Sequence, residues 1–246
     1  MKKRCEYVAG IDYSLTSPAV CVGKLVDGTL KFENCKFHFI KKNKSHESFG
    51  NFRAYDYPKY SDEIERYEKL SEWTIECIRW YDGRAKHVYL EDYAFAATGR
   101  VFNIAENTGI LKQQLKKNRF LFTTIPPTVI KKNATGKGNA NKELMYETFL
   151  EETNIDLQSR LSPKSIKITN PVSDIIDSYY ICMLPQTTSN YPYLIETSKK
   201  QIQKYSKVEA DNEAVMLQQS GENVEVHHRG SLLYKLNGQF QGTFFP

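Results

Sequence analysis

The stretch Tyr7-Val8-Ala9-Gly10-Ile11-Asp12, followed by Tyr13-Ser14-Leu15-Thr16-Ser17-Pro18 and then Ala19-Val20-Cys21-Val22, decides the fold. Residues 6–11 read as a strand, and the run is apolar enough to lie in the middle of a sheet. Asp12 stands at its tip. A carboxylate in that position is costly unless a cation meets it. The plain alternative is an Asp that starts the turn into the next segment.

Outward from this strand, residues 19–26 and 30–40 continue the strand pattern, and Asp27-Gly28 between them is a two-residue hairpin signal. Residues 41–60 break it with Lys41, Lys42, Lys44, Gly50, Arg53 and Pro58 among aromatic residues. From Ser61, a plausible N-cap, the period becomes helical through Ile64, Tyr67, Leu70, Trp73, Ile75 and Ile78. A short strand over 87–90, a helix over 101–115 and a strand over 120–125 ended by Pro126-Pro127 follow. A helix starting near Asn139 or Asn141 runs to Leu150, and a last one over 175–184 is stopped by Pro185. Three paired strands followed by alternating helices and strands predict an α/β fold: a mixed sheet with helices on its faces.

The character changes after Pro185. Residues 186–212 are polar, and 222–245 read as strands, with Asn237-Gly238 as a hairpin turn. The expected organisation is a core domain over 1–185 and a C-terminal β-hairpin extension over 186–246.

Aromatic residues make up 13% of the chain, which excludes a disordered protein. No apolar run reaches the roughly 18 residues of a spanning helix, so no membrane partner is expected. Glu6, Gly10 and Asp12 interrupt the segment behind the basic N-terminus before a signal-peptide core forms, which predicts a cytoplasmic location. The five cysteines show no CxxC spacing and read as reduced core residues rather than a disulfide or zinc framework. The adjacent His227 and His228 would point to opposite faces of a strand, which makes them poor joint ligands.

Three further acids repeat the anomaly of Asp12. Glu91 closes the apolar strand Val88-Tyr89-Leu90 and is followed by Asp92, and only one of these two can face Asp12. Asp174 and Asp177, three apart in Ser173-Asp174-Ile175-Ile176-Asp177, share one helix face. Helix capping would account for Asp174, whereas Asp177 lies deeper, among Ile175, Ile176, Tyr179 and Ile181. Hard oxygen donors of this kind suit magnesium or manganese rather than zinc. Two such ions are the apparatus of metal-assisted phosphodiester hydrolysis.

The formal charge of +5 resides in the first 185 residues. Between Asn107 and Lys142 no acid occurs, while Lys112, Lys116, Lys117, Arg119, Lys131, Lys132, Lys137 and Lys142 do. The segment Asn133-Ala134-Thr135-Gly136-Lys137-Gly138-Asn139-Ala140-Asn141-Lys142 joins glycines, lysines and a helix start, a phosphate-binding combination without P-loop spacing. A solvated basic face is the plain alternative. In 41–60, lysines and Arg53 interleave with Phe49, Phe52, Tyr55, Tyr57 and Tyr60, which would suit gripping a strand and stacking on unpaired bases. An ordinary surface loop has the same composition.

Taken in series, Gly10-Ile11-Asp12-Tyr13-Ser14, Leu90-Glu91-Asp92-Tyr93 and Asp174-Ile175-Ile176-Asp177 resemble the acidic motifs of RuvC-type Holliday junction resolvases. The segment 99–114, with Asn107-Thr108-Gly109, resembles the helix after that family's glutamate. The resemblance spans about residues 5 to 185. It implies a ribonuclease H-like fold, a homodimer, and magnesium-dependent paired nicking of four-way DNA junctions and related branched DNA. It implies Asp12, Glu91, Asp174 and Asp177 as catalytic metal ligands, and Lys142, with Lys131 or Lys132, at the scissile phosphate. Tyr93 and Phe95 straddle the position of a junction-wedging aromatic, and Lys112, Lys116 and Lys137 would add DNA contacts. No nucleotide cofactor is expected. The segment 41–60 and the tail depart from the compact bacterial pattern and look more like longer viral, phage or organellar relatives.

Three other readings share features with this one. Another ribonuclease H-like nuclease (terminase, transposase or hybrid nuclease) would carry the same acids. A sugar kinase or actin-like ATPase also opens on Gly-Ile-Asp, but would need a second glycine-rich phosphate hairpin. A non-catalytic DNA-binding protein of the same fold would have no need of the acids.

Overall fold

The computed structural model describes residues 6–26, 29–79, 85–92, 101–187, 193–204, 207–228 and 231–237. The chain divides into two compact units, one up to Leu184 and one from Pro185.

The first unit is built on six strands: β1 (Glu6–Asp12), β2 (Ala19–Leu25), β3 (Cys35–Ile40), β4 (Phe52–Tyr55), β5 (Ala85–Glu91) and β6 (Phe122–Ile125). Their order in the sheet is β4-β3-β2-β1-β5-β6. Strand β2 is antiparallel to β1 and β3, and the remaining neighbours are parallel. Five strands therefore end at one edge, where Asp12, Ile40, Tyr55, Glu91 and Ile125 stand. With the edge strand β4 set aside, the order is β3-β2-β1-β5-β6, the mixed ribonuclease H-like sheet that the resemblance implies.

Every residue of β1 except Glu6 is buried, because helices cover both faces. On one face Tyr7, Ala9 and Ile11 meet α1 (Glu63–Arg79) and α2 (Val101–Lys117) through Leu70, Ile75, Ile78, Leu111 and Leu115. The opposite face carries α3 (Pro127–Thr135), α4 (Lys142–Thr153), α5 (Leu157–Leu161) and α6 (Val172–Thr187). There Val8, Cys21, Phe37 and Phe39 pack with Ile130, Met145, Phe149, Leu157, Ile175 and Tyr179. Cys21, Cys35, Cys77 and Cys182 are buried free thiols, in keeping with their reading as core residues, and Cys5 lies outside the described residues.

Several elements differ from the sequence reading. Segment 41–60 is not simply a surface loop: Phe52–Tyr55 forms the edge strand, parallel to β3. Phe52 is buried and stacks on Phe37 (ring centroids 4.5 Å apart) and Phe49 (4.6 Å). Tyr57 donates its hydroxyl to Leu15 O and accepts from Arg66 Nε. Most of the aromatics expected to stack on bases are thus engaged by the protein's own core and loops. The N-cap of α1 is Asp62, whose Oδ1 accepts from the Glu65 amide, while Ser61 donates to the Glu65 carboxylate.

Helix α3 starts where Pro126-Pro127 reads as a stop. Proline at the first helical position loses only an amide that has no intrahelical partner. The helix closes on Gly136 in the left-handed region (φ 77°), and α4 begins at Asn141, whose side chain caps the Leu144 amide. Helix α6 runs to Thr187, past Pro185, since a proline in the last turn costs one hydrogen bond rather than the helix. Val26 and Thr29 exchange backbone hydrogen bonds of 2.9 and 3.0 Å around the expected hairpin turn, while Asp27 and Gly28 lie outside the described residues.

The second unit holds β7 (Tyr193–Glu196), β8 (Gln201–Lys204), α7 (Lys207–Gln219), β9 (Val224–His228) and β10 (Ser231–Leu236). Its antiparallel sheet, ordered β10-β9-β7-β8, packs Ile195, Val224 and Val226 against Ala210, Ala214 and Leu217 of α7. It is a small sheet with a helix rather than a lone hairpin. Gly238 of the turn expected at Asn237-Gly238, and the strand beyond it, lie outside the described residues. Among the described residues no helix is long and apolar enough to cross a membrane.

Candidate active site

The close packing of β1 against α6 builds the site. Gly10 leaves no room for a side chain: a Cβ there would fall 2.2 Å from Cys182 N and 2.4 Å from Ser178 O. Val8, Gly10 and Asp12 share the face turned to α6. Cys182 Sγ meets Val8 O at 3.7 Å, Ser178 and Cys182 meet Gly10, and the charge of Asp174 is felt at Asp12. Two strand residues rise about 6.6 Å and four helical residues about 6.0 Å, so helix and strand keep step with opposite direction. Asp12 is thereby delivered to the N-terminal turns of α6, which carry Asp174 and Asp177.

Strand β5 brings the fourth acid. Gly10 pairs with Tyr89 and Ile11 with Leu90 in parallel register, so Glu91 lies beside Asp12 and on its face. The charge of Glu91 is felt at Asp12. Of Glu91 and Asp92, the structure therefore turns Glu91 to the site.

Asp12 and Asp174 are buried, at 8% and 5% exposure, while Glu91 and Asp177 are half-buried. Burial, then the charges of Asp174, Glu91 and Asp177, holds the Asp12 carboxyl far above the usual range. Burial also raises Glu91, against the Asp12 hydrogen bond and the Lys131 charge. Asp174 is pushed up to about 6 by burial, against hydrogen bonds from Ser17 and Ser173 and the charges of Lys142 and Lys42. Asp177 reaches about 7 through burial, then Glu91 and Asp174. Desolvation and mutual repulsion have the same sign here, and the nearby cations do not offset them. Capping does not explain Asp174, because it accepts from the Ser17 and Ser173 hydroxyls.

A cavity of about 230 Å³ opens beside the acids, lined by Glu91, Ser173 and Asp177 together with Lys131, Asn141 and Lys142. Lys142 Nζ donates to Asn170 Oδ1 (3.2 Å) and Ser173 Oγ (3.1 Å). Of the pair Lys131 and Lys132, Lys131 lines this cavity and its charge acts on Glu91 and Asp177, whereas Lys132 is exposed on α3. Lys137 is exposed in the turn before α4. Lys112 and Lys116 belong to α2, on the opposite face of the sheet, so the acid-free stretch does not form one surface with the cavity. Tyr93 and Phe95 lie outside the described residues. Sequence reasoning missed Ser17, Asn170 and Ser173, which bear no charge and stand in turns or a helix start, and it left Lys42 in a surface segment.

The donor set fits a hard divalent cation in kind: four carboxylates, no soft ligand and a surplus of negative charge. As they stand, no group of three or more His, Cys, Asp or Glu side chains among the described residues is arranged to hold a metal ion.

No protein-family model matches the chain, and no curated protein matches it. Among solved structures it is similar to RuvC of Thermus thermophilus, with 16% identity and a TM-score of 0.47 over 71% of this chain and 92% of that one. It is likewise similar to T. thermophilus RuvC in complex with a Holliday junction substrate (13%, 0.48, 72% and 92%). For Ydc2, the yeast mitochondrial Holliday junction resolvase, the values are 12%, 0.40, 71% and 76%.

Proposed function

We propose that residues 1–185 form a magnesium- or manganese-dependent endonuclease domain that resolves four-way junctions and related branched DNA by phosphodiester hydrolysis. The observation that carries this reading is the meeting of Asp12, Glu91, Asp174 and Asp177 at one sheet edge, across a cavity from Lys131 and Lys142. Four buried or half-buried acids whose burial and repulsion the nearby lysines do not offset are costly in a resting protein, and holding a pair of divalent ions gives that arrangement a use.

In this reading the four carboxylates hold the ions, and what bound ions supply is a water of lowered pKa and positive charge against the leaving oxygen. Lys142, anchored by Asn170 and Ser173, presents its ammonium to a non-bridging phosphate oxygen. Lys131 faces the same cavity and adds charge from α3. Gly10 keeps α6 close enough to β1 for the acids to act on one phosphate. Paired cuts across a junction need two such sites, so the working unit is proposed to be a homodimer.

The test is a cleavage assay on four-way, branched, RNA–DNA hybrid and linear substrates at equal salt, with and without magnesium. Cleavage of the four-way junction in preference to the others, dependent on the metal, is expected. Preference for the hybrid would move the protein to another class of nuclease. No cleavage of any substrate would leave a DNA-binding protein of this fold.

A further inference from the structure

The uncharged side chains below the acids form a chain of hydrogen bonds with a direction. Lys142 Nζ donates to Asn170 Oδ1 at 3.2 Å, and Asn170 Nδ2 donates to Ser17 Oγ at 2.9 Å. Ser17 Oγ donates to Asp174 Oδ2. Ser173 Oγ lies 3.0 Å from Asn170 Oδ1 and 3.2 Å from Asp174 Oδ1, so its one hydrogen is shared between these two acceptors and ties the same carboxylate to the same amide. Ser17 has no exposed surface, and Ser173 is 4% exposed.

The direction constrains residue types. A hydroxyl has one hydrogen, and that of Ser17 is committed to Asp174, so Ser17 must accept from position 170. Lys142 can only donate. Residue 170 must therefore accept on one atom and donate from another on the same planar group, as asparagine does. Ser17 comes from the loop after β1, Asn170 from the turn before α6 and Lys142 from the start of α4, so three segments meet on one amide.

We propose that Asn170 and Ser17 are positioning residues that lock the Asp174 carboxylate and the Lys142 ammonium into one geometry, so that ion binding and phosphate binding are set relative to each other. The inference rests on the reading above, in which Asp174 holds an ion and Lys142 meets phosphate. Groups that orient a metal ligand typically change metal affinity or activity by about 10- to 100-fold when removed.

The experiment compares full-length wild type with Asn170→Ala, Ser17→Ala, Ser17→Thr and Asp174→Asn, and confirms by thermal unfolding that each is folded. Manganese is titrated by calorimetry without DNA, and cleavage of a four-way junction gives kcat and KM. Asn170→Ala and Ser17→Ala should each weaken manganese binding and lower kcat about tenfold or more, with KM within about threefold of wild type. Ser17→Thr, which keeps the hydroxyl, should recover most of both, a rescue that a purely structural loop contact does not require. A further variant that combines Asn170→Ala with Ser17→Ala should be no more than slightly worse than the worse single one, since both act on one carboxylate. If Asp174→Asn abolishes binding and cleavage while both alanine variants match wild type, the positioning role is wrong and the site reading stands. If wild type neither binds manganese nor cuts DNA, the site reading fails and this inference with it.

Discussion

Gly10 and Cys182 are in backbone contact: a Cβ on Gly10 would stand 2.2 Å from the Cys182 amide nitrogen. This single approach sets how deeply α6 lies on the sheet, and thus how near Asp174 and Asp177 come to Asp12 and Glu91. The glycine serves close approach here and not an unusual backbone angle.

Gly10→Ala should therefore be severe. The obstructing atoms are backbone, so no side chain can turn aside, and overpacking of this kind costs about 3 kcal/mol or more. Chemical denaturation measures it. A loss below about 1 kcal/mol would mean that α6 does not rest on β1 as described.

The acids make stability depend on pH. Asp174 and Asp177, raised to about 6 and about 7, hold protons in the folded chain that the unfolded chain releases near pH 4. The folded state thus binds more protons between about pH 4 and 7, and these groups withdraw stability as pH rises through that window. Metal-free Asp177→Asn should be more stable than wild type at pH 8, by about 1–3 kcal/mol, with the gap closing near pH 4. His38, lowered to about 4 by burial, then by the charges of Lys36 and Arg53, has the opposite slope but is common to both proteins. Equal unfolding midpoints at pH 8 would refute the repulsion.

The lysines should separate by role. Lys142→Ala removes the ammonium anchored at the cavity and should slow junction cleavage about 100-fold with little loss of binding. Lys137→Ala should leave the rate unchanged while weakening binding and lowering the salt slope by about 1. The reverse pattern would place the scissile phosphate elsewhere.

Phe52 tests the aromatic segment. Buried in a stack with Phe37 and Phe49, it should cost about 3–5 kcal/mol on truncation to alanine. At a temperature where the variant is folded, its affinity for junction DNA should match wild type. A large loss of affinity with unchanged stability would restore the base-stacking reading.

Much of the core was legible because its signals are local. The apolar run closing on Asp12, the helical period of 61–78 and the asparagine before Lys142 each announce an element. The edge strand at Phe52 was not, since one buried residue followed by three half-exposed ones, in a segment of lysines and scattered aromatics, carries no periodicity. Helix α3 was hidden by reading Pro127 as an end when a proline equally suits a first turn. Among the described residues, helix α7 buries small or scattered apolar residues, Ala210, Ala214 and Leu217, and so reads as polar. The acids were legible as anomalies, burdens that an ordinary fold would not carry. Ser17 and Asn170 were not, because an uncharged side chain shows its role only when its partners, more than 150 positions apart for Ser17 and Asp174, are brought together.

The most direct test compares wild type with Asp12→Asn on a four-way DNA junction in magnesium. The substitution removes one ligand charge and leaves Lys131, Lys142 and the basic surface untouched. The account predicts junction binding near wild type and cleavage reduced at least about 1000-fold. Cleavage by Asp12→Asn at the wild-type rate would contradict it.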